Sequence, residues 1–311
     1  MLLFAALGVI WGLPYLLIRV AVRHVEPTFL VFVRTGGATL LMAPLVVRRG
    51  ALKELLPHWK AIVAFCVVEV GVPWWLLSTA EEKVSSSLSG LLVAAVPIAG
   101  AVLARLTGSD RIDRRRFAGL ATGIFGVALI VGFDIGRSSL LAASSFLLIV
   151  IGYSLGPWTL ARYLRGLPGA SVTFASLALC ALVYAPFAYI QRPRHEVPVN
   201  AWLSMAGLSV VCTAVAFTLF FALIKEVGPM RATVVTYLNP AVAMLLGVIV
   251  LGESFSWATG AGFVCVLGGS WLATRPLKVA PSPLAATAHP LGGAAVAPGG
   301  AASAVTGQAL R

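Results

Sequence analysis

The chain aligns with itself at a single offset of 143 residues, without a gap. Pro14 meets Pro157, Arg19 meets Arg162, Trp59 meets Trp202 and Pro97 meets Pro240. Gly119 meets Gly262, Gly126 meets Gly269, and the acid Asp110 meets the acid Glu253. In a chain that is 59% hydrophobic, coincident leucines and valines carry little. Coincident prolines and tryptophans carry more, because there are only 18 and 8 of them. Two copies of one unit must therefore build the fold, and the number of membrane crossings per unit decides whether the copies lie parallel or upside down.

Only 11% of the 311 residues are charged, against about 25% in a soluble domain. Apolar runs near the ~20 residues that cross a bilayer recur along the length. We count ten, near 2–18, 28–47, 59–80, 84–104, 116–133, 139–161, 171–190, 200–224, 232–251 and 255–274. The expected fold class is an all-α integral membrane protein: ten transmembrane helices as two inverted five-helix repeats, 1–133 and 139–275. Residues 276–311, rich in Ala, Gly and Pro, read as a disordered cytoplasmic tail. The opening MLLFAALGVIWGLPYLLIRV has no basic start and no small-residue cleavage site, so it reads as a retained first span. The net charge of +12 does not point to nucleic acid, because the arginines sit in short loops between spans. Cys66, Cys180, Cys212 and Cys265 all lie in apolar runs, none in a CxxC pair, so neither disulfides nor a metal site is expected.

Lysine and arginine set the orientation. With the N-terminus in the cytoplasm, inside loops and flanks hold 16 basic residues and outside ones 6, so both termini are expected to be cytoplasmic. Five spans per unit is an odd number, which inverts the second copy. The loop charges agree. After span 4 come Arg105, Arg111, Arg114, Arg115 and Arg116, whereas the matching segment after span 9, LGESFSWATG, has one acid and no base.

Of eleven acids, only Glu69 falls near the middle of a span. A charged acid at that depth costs ~2.5–3.5 kcal/mol on insertion scales and belongs at a protein interior or water. Glu69 is therefore the proton-coupling candidate, with a helix-locking acid as its alternative. The one deep cation is Arg34. At 1.5 Å rise per residue it lies about 6 Å from Glu69 in depth, so the two can pair. The competing reading is that Arg34 snorkels to the outer headgroups. Further candidates for a substrate site are Trp11 and Tyr15, one turn apart on span 1, Trp74, Tyr153, and the group Thr236, Tyr237 and Asn239 before Pro240. Pro97 and Pro240 remove a backbone donor in mid-span and mark helix breaks with a gating role. Ser85, Ser86, Ser87 and Ser89 open span 4 as a second polar group. For each of these the alternatives are packing or, for Trp74 and Trp75, the outer aromatic belt. The small face Gly119-x-x-x-Gly123 suits close helix contact, within the protomer or across a homodimer.

The opening IWGLPYLLIRV, with Arg34 in span 2, resembles the EamA-domain family of the drug/metabolite transporter superfamily. So do SGLLVAAVPIAGAVLARLTGSDRIDRRRFAGLATGIFGVALIV and its partner VVTYLNPAVAMLLGVIVLGESFSWATGAGFVCVLGGSWLA, each with a mid-span proline, an acid at the span's end and a glycine-rich span after it. The resemblance covers residues 1 to about 275. It implies alternating access to a central cavity lined more by spans 1, 3, 4, 6, 8 and 9 than by 5 and 10. The second half departs from the first at its opening, GYSLGPWTLARYL, so that cavity need not be symmetric. The expected function is secondary active export of a small metabolite or drug-like solute across the cytoplasmic membrane, with proton coupling open. A facilitative, channel-like permease is the alternative. An intramembrane enzyme is disfavoured, since the four histidines lie outside the spans and no second deep carboxylate stands beside Glu69. The expected partners are a small-molecule substrate and the lipid bilayer, with no cofactor.

Overall fold

The computed structural model describes residues 2–47, 52–108, 114–134, 140–227, 232–254 and 256–274. The segment read as a disordered tail lies outside the described residues, as do Asp110 and Arg111 in the basic loop. The described chain is helical, with no strand among the described residues.

Seven helices are long and apolar enough to cross a membrane. They are α1 (Leu2–Ala21), α2 (Pro27–Val47), α3 (Lys53–Ala80), α4 (Ser86–Leu106), α6 (Leu140–Tyr163, apolar from Ser144), α7 (Gly169–Ile190) and α8 (Val199–Val227). Three more carry shorter apolar stretches: α5 (Arg114–Asp134), α9 (Asn239–Leu251) and α10 (Trp257–Thr274). Helix is the form in which such segments satisfy their own backbone in lipid.

Three helices depart from regularity where the sequence placed its prolines and polar residues. In α3 a π-helical stretch covers Cys66–Gly71, and in α8 another covers Val210–Val215. A π turn leaves carbonyls out of the regular ladder. Side chains reach them: Thr213 donates to the Leu208 carbonyl at 2.8 Å, and Tyr184 of α7 donates to the Gly71 carbonyl at 3.2 Å. In α4 the helix turns at Ala94 and Ala95 and restarts with Pro97 in its first turn. Carbonyls at that break are met from two other helices, Ala94 by Ser270 of α10 and Val96 by Ser154 of α6, both at 3.2 Å. Pro240 likewise stands in the first turn of α9, after a 3-10 turn over Thr233–Tyr237. Both prolines thus begin helical segments, where a missing N–H costs nothing.

The packing is pairwise. α5 lies along α10, α2 along α7 and α4 along α9. α1 packs on α8 and α9, and α6 packs on α3 and α4. Glycine sets the α5–α10 distance. A Cβ at Gly126 would stand 2.6 Å from the Gly262 carbonyl oxygen, and one at Gly269 2.5 Å from that of Gly119. The glycine face of α5 is therefore filled inside the protomer by α10.

Candidate functional site

The polar interior centres on Arg34. Its side chain is 6% exposed, in the first half of α2. It does not snorkel: Nε donates to the Thr213 hydroxyl at 3.1 Å, and the guanidinium lies 3.5 Å from the centre of the Trp74 ring. The π turn in α8 presents Thr213 there, since its hydroxyl spans back to Leu208 and leaves the oxygen free to accept. Tyr153, Cys212, Tyr15 and Cys180 are ionisable side chains around the guanidinium, and the buried Glu81 is close enough to feel its charge. Trp74 is buried beneath Arg34 and so is not part of an outer aromatic belt, whereas Trp75 is 38% exposed.

Glu69 does not join this group. Its carboxyl is pressed against Gly156 of α6, where a Cβ would collide with it, and its buried Oε2 has no hydrogen-bond partner. The side chain sits in the π turn of α3, which turns it toward α6 rather than toward Arg34. Tyr153 is close enough to interact electrostatically with both.

Apart from Tyr15, the remaining candidates scatter. Tyr15 is buried beside Gly90 of α4. Trp11 faces α8 instead, 4.8 Å from Phe220 and 6.1 Å from Phe217 between ring centres. Asn239 is half-buried with Oδ1 unpartnered, Tyr237 is half-buried, and Thr236 is exposed.

Two acids that the sequence assigned to loops and span ends are placed where they matter. Glu81, one residue beyond α3, is fully buried with both carboxylate oxygens unpartnered, and its backbone carbonyl accepts from Arg19. Glu253 follows α9. Gly252 adopts a left-handed turn (φ 65°), open to glycine without strain, which reverses the chain. The carboxylate then meets the start of α4. Oε1 accepts from the Ser86 N–H and hydroxyl at 2.8 and 3.0 Å, and Oε2 from the Ser87 N–H and hydroxyl at 2.9 and 2.6 Å. A carboxylate at a helix N-terminus satisfies orphan donors and the dipole together. Burial pushes the Glu253 carboxyl up, but the bonds from Ser87 and Ser86 outweigh it and hold the group below its ordinary value. Gly247 leaves the room, since a Cβ there would run into Ser87 and Glu253. One signal for Glu253 was in the sequence: it is the residue that matches Asp110 across the offset.

The EamA-like transporter family matches residues 1–132 and 140–275. The chain belongs to that family. It is 27% identical over 256 residues to YedA, an uncharacterized inner membrane transporter of Escherichia coli K12, covering 81% of this chain and 82% of YedA. It is 25% identical over 271 residues to the uncharacterized transporter YdfC of Bacillus subtilis, covering 84% and 86%. A probable amino-acid metabolite efflux pump of Salmonella typhimurium is 21% identical over 284 residues, covering 85% and 91%. A solved crystal structure at 18% identity superposes with a TM-score of 0.64, covering 88% of this chain and 95% of that one, and so shares the fold. The protein is thus a multi-pass membrane protein of a transporter family, whose relatives are transporters and not enzymes.

Proposed function

We propose that the chain is a secondary transporter that exports a small metabolite or drug-like solute across the cytoplasmic membrane by alternating access. Its ten spans form two inverted five-helix repeats, residues 1–133 and 139–275, with both termini in the cytoplasm. Residues 276–311 form a cytoplasmic tail. Glu69 carries the coupling proton, and the interior around Arg34, Trp74, Tyr15 and Tyr153 receives the solute. Pro97 and Pro240 serve as the breaks about which α4 and α9 change shape.

The observation that carries this reading is the junction of Glu253 with Ser86 and Ser87. It ties a helix of the second half to a helix of the first, and it lies at the outer end in the proposed orientation. Such a clasp over a polar interior supports a state closed to the outside. Helix pairing supports the inverted plan: under the 143-residue offset α1–α9 becomes α6–α4 and α1–α8 becomes α6–α3, while α2–α7, α4–α9 and α5–α10 map onto themselves. The π turns begin 144 residues apart, at Cys66 and Val210, one residue off the offset.

The test is an untargeted comparison of solutes in the medium of cells with and without the protein, repeated with a protonophore. Solutes that accumulate outside only with the protein, and less so with the protonophore, are expected. Identical media would overturn transport. A solute set unchanged by the protonophore would favour the facilitative permease.

A further inference from the structure

Arg34 is a cation whose direct contacts among the described residues, Thr213 and Trp74, are both neutral. Nε is taken by Thr213 and one face by Trp74. Its two Nη groups donate to no described residue, and no carboxylate pairs with it. The two unpartnered buried acids do not serve it. Glu69 is pressed against Gly156, and Glu81 feels Arg19 more strongly than Arg34 while its carboxylate oxygens bond to neither. Arginine cannot shed its charge by losing a proton. An uncompensated buried ion carries a penalty of several kcal/mol. A transporter can hold such a residue if an anion joins it for part of the cycle.

We propose that the transported solute carries a carboxylate, and that the Nη edge of Arg34 binds it. This rests on the reading of the chain as a solute transporter. The chemistry of the surroundings selects the group. One guanidinium supplies one positive charge and a planar pair of donors, which matches a single carboxylate in the bidentate manner. A phosphate dianion asks for more charge than one guanidinium supplies. Thr213 and Trp74 fix the guanidinium plane before anything binds, so less side-chain freedom is lost on binding. The groups nearest the guanidinium are the Trp74 ring and the phenols of Tyr153 and Tyr15, so the acid is one with an apolar or aromatic portion. The duplication did not copy this site: under the offset Arg34 becomes Leu177, Trp74 becomes Phe217 and Tyr153 corresponds to Ile10. The carboxylate site is therefore single.

The test sorts the exported solutes by charge and compares wild type with Arg34→Gln and Arg34→Lys, the amount of folded protein in the membrane being followed by size-exclusion fluorescence. The proposal expects carboxylic acids in the wild-type set. It expects their export to fall about ten- to hundredfold in Arg34→Gln, the size of a lost charged hydrogen bond, and less in Arg34→Lys, which keeps the charge without the planar fork. A wild-type set of neutral or cationic solutes overturns the carboxylate site and leaves transport standing, whether or not Arg34→Gln folds. Carboxylates exported equally by folded Arg34→Gln overturn it too. Wild-type and empty cells with identical media overturn the transporter reading itself, and this inference with it.

Discussion

A carboxyl without a hydrogen-bond partner and a guanidinium without a countercharge are different liabilities in a bundle, because only the first can become neutral by taking a proton. That difference separates the roles of Glu69 and Arg34. Glu69→Gln keeps the shape against Gly156 and removes the titration. Proteoliposomes with an imposed pH gradient are expected to show proton-driven transport abolished, with the protein still folded. Full coupling in that variant would remove Glu69 from the mechanism. Gly156→Ala drives a methyl into the same carboxyl. Overpacking costs about 1–3 kcal/mol, so thermal unfolding in detergent should fall and recover when Glu69→Ala is added. No recovery would mean that the contact does not set the cost. Both deep charges were legible in the sequence, since a lone Glu or Arg in an apolar run is conspicuous. Their separation was not. Depth along a span says nothing of azimuth, and the π turn in α3 rotates Glu69 toward α6. Thr213 was silent for the same reason, as one hydroxyl among many until a π turn aims it. Glu81 shows the opposite error, since a span's end counts as surface only where no neighbouring helix covers it.

At the scale of helices, the contact between α4 and α9 ends in a polar clasp beside its apolar packing, and the one between α5 and α10 rests on backbone, so they should fail differently. Glu253→Gln swaps an acceptor oxygen for an amide that cannot accept from Ser86 or Ser87, and Glu253→Ala removes all four bonds. Each should raise labelling of a cysteine placed at buried Leu88 by a membrane-impermeant thiol reagent, with Ala the stronger, in a background lacking the four native cysteines. Labelling that stays at the parent level would mean that Glu253 does not close this end. The pH dependence has a definite sign. A carboxyl held below its ordinary value keeps its bonds above the usual carboxylate pKa of about 4.3 and loses them as pH falls through the lower folded value. Labelling, taken relative to that of a fully exposed cysteine at the same pH so that the falling thiolate fraction cancels, should be flat between about pH 7 and pH 5 and rise only in stronger acid. A rise near pH 6 would assign closure to another group. Gly269→Val places atoms against the backbone of Gly119 and Gly123, which cannot move aside as a side chain can. It should lower the unfolding temperature by the equivalent of about 1–3 kcal/mol or more and leave solute selectivity unchanged. Altered selectivity would mean that this pair reaches the site.

Over the whole molecule, the 143-residue offset suggests a plan for the chain before any coordinate, because coincident Pro, Trp and Gly positions stand out where apolar coincidences do not. The helices fall close to the apolar runs, with α3 beginning earlier, at Lys53, than the run that starts at Trp59. Hydropathy could not reveal that Pro97 and Pro240 begin helices rather than bend them, since that depends on Ser154, Ser270 and the 3-10 turn before α9. What the offset adds is a statement about sides of the membrane. In the proposed plan the loops after α4 and after α9 are the same element of the two repeats, and their charges differ in the sense that inversion requires. Single cysteines at exposed Thr107 and Ser254 test this directly. In intact cells an impermeant maleimide should label Ser254→Cys at once, and Thr107→Cys only after the membrane is opened. Two parallel copies would put both loops on one face, so equal labelling of the pair in intact cells, or of neither, would refute inversion. The opposite asymmetry would keep the inversion and turn the whole protein over. It would then put Glu253 at the cytoplasmic end, so the clasp on Ser86 and Ser87 would close the inner mouth instead of the outer one.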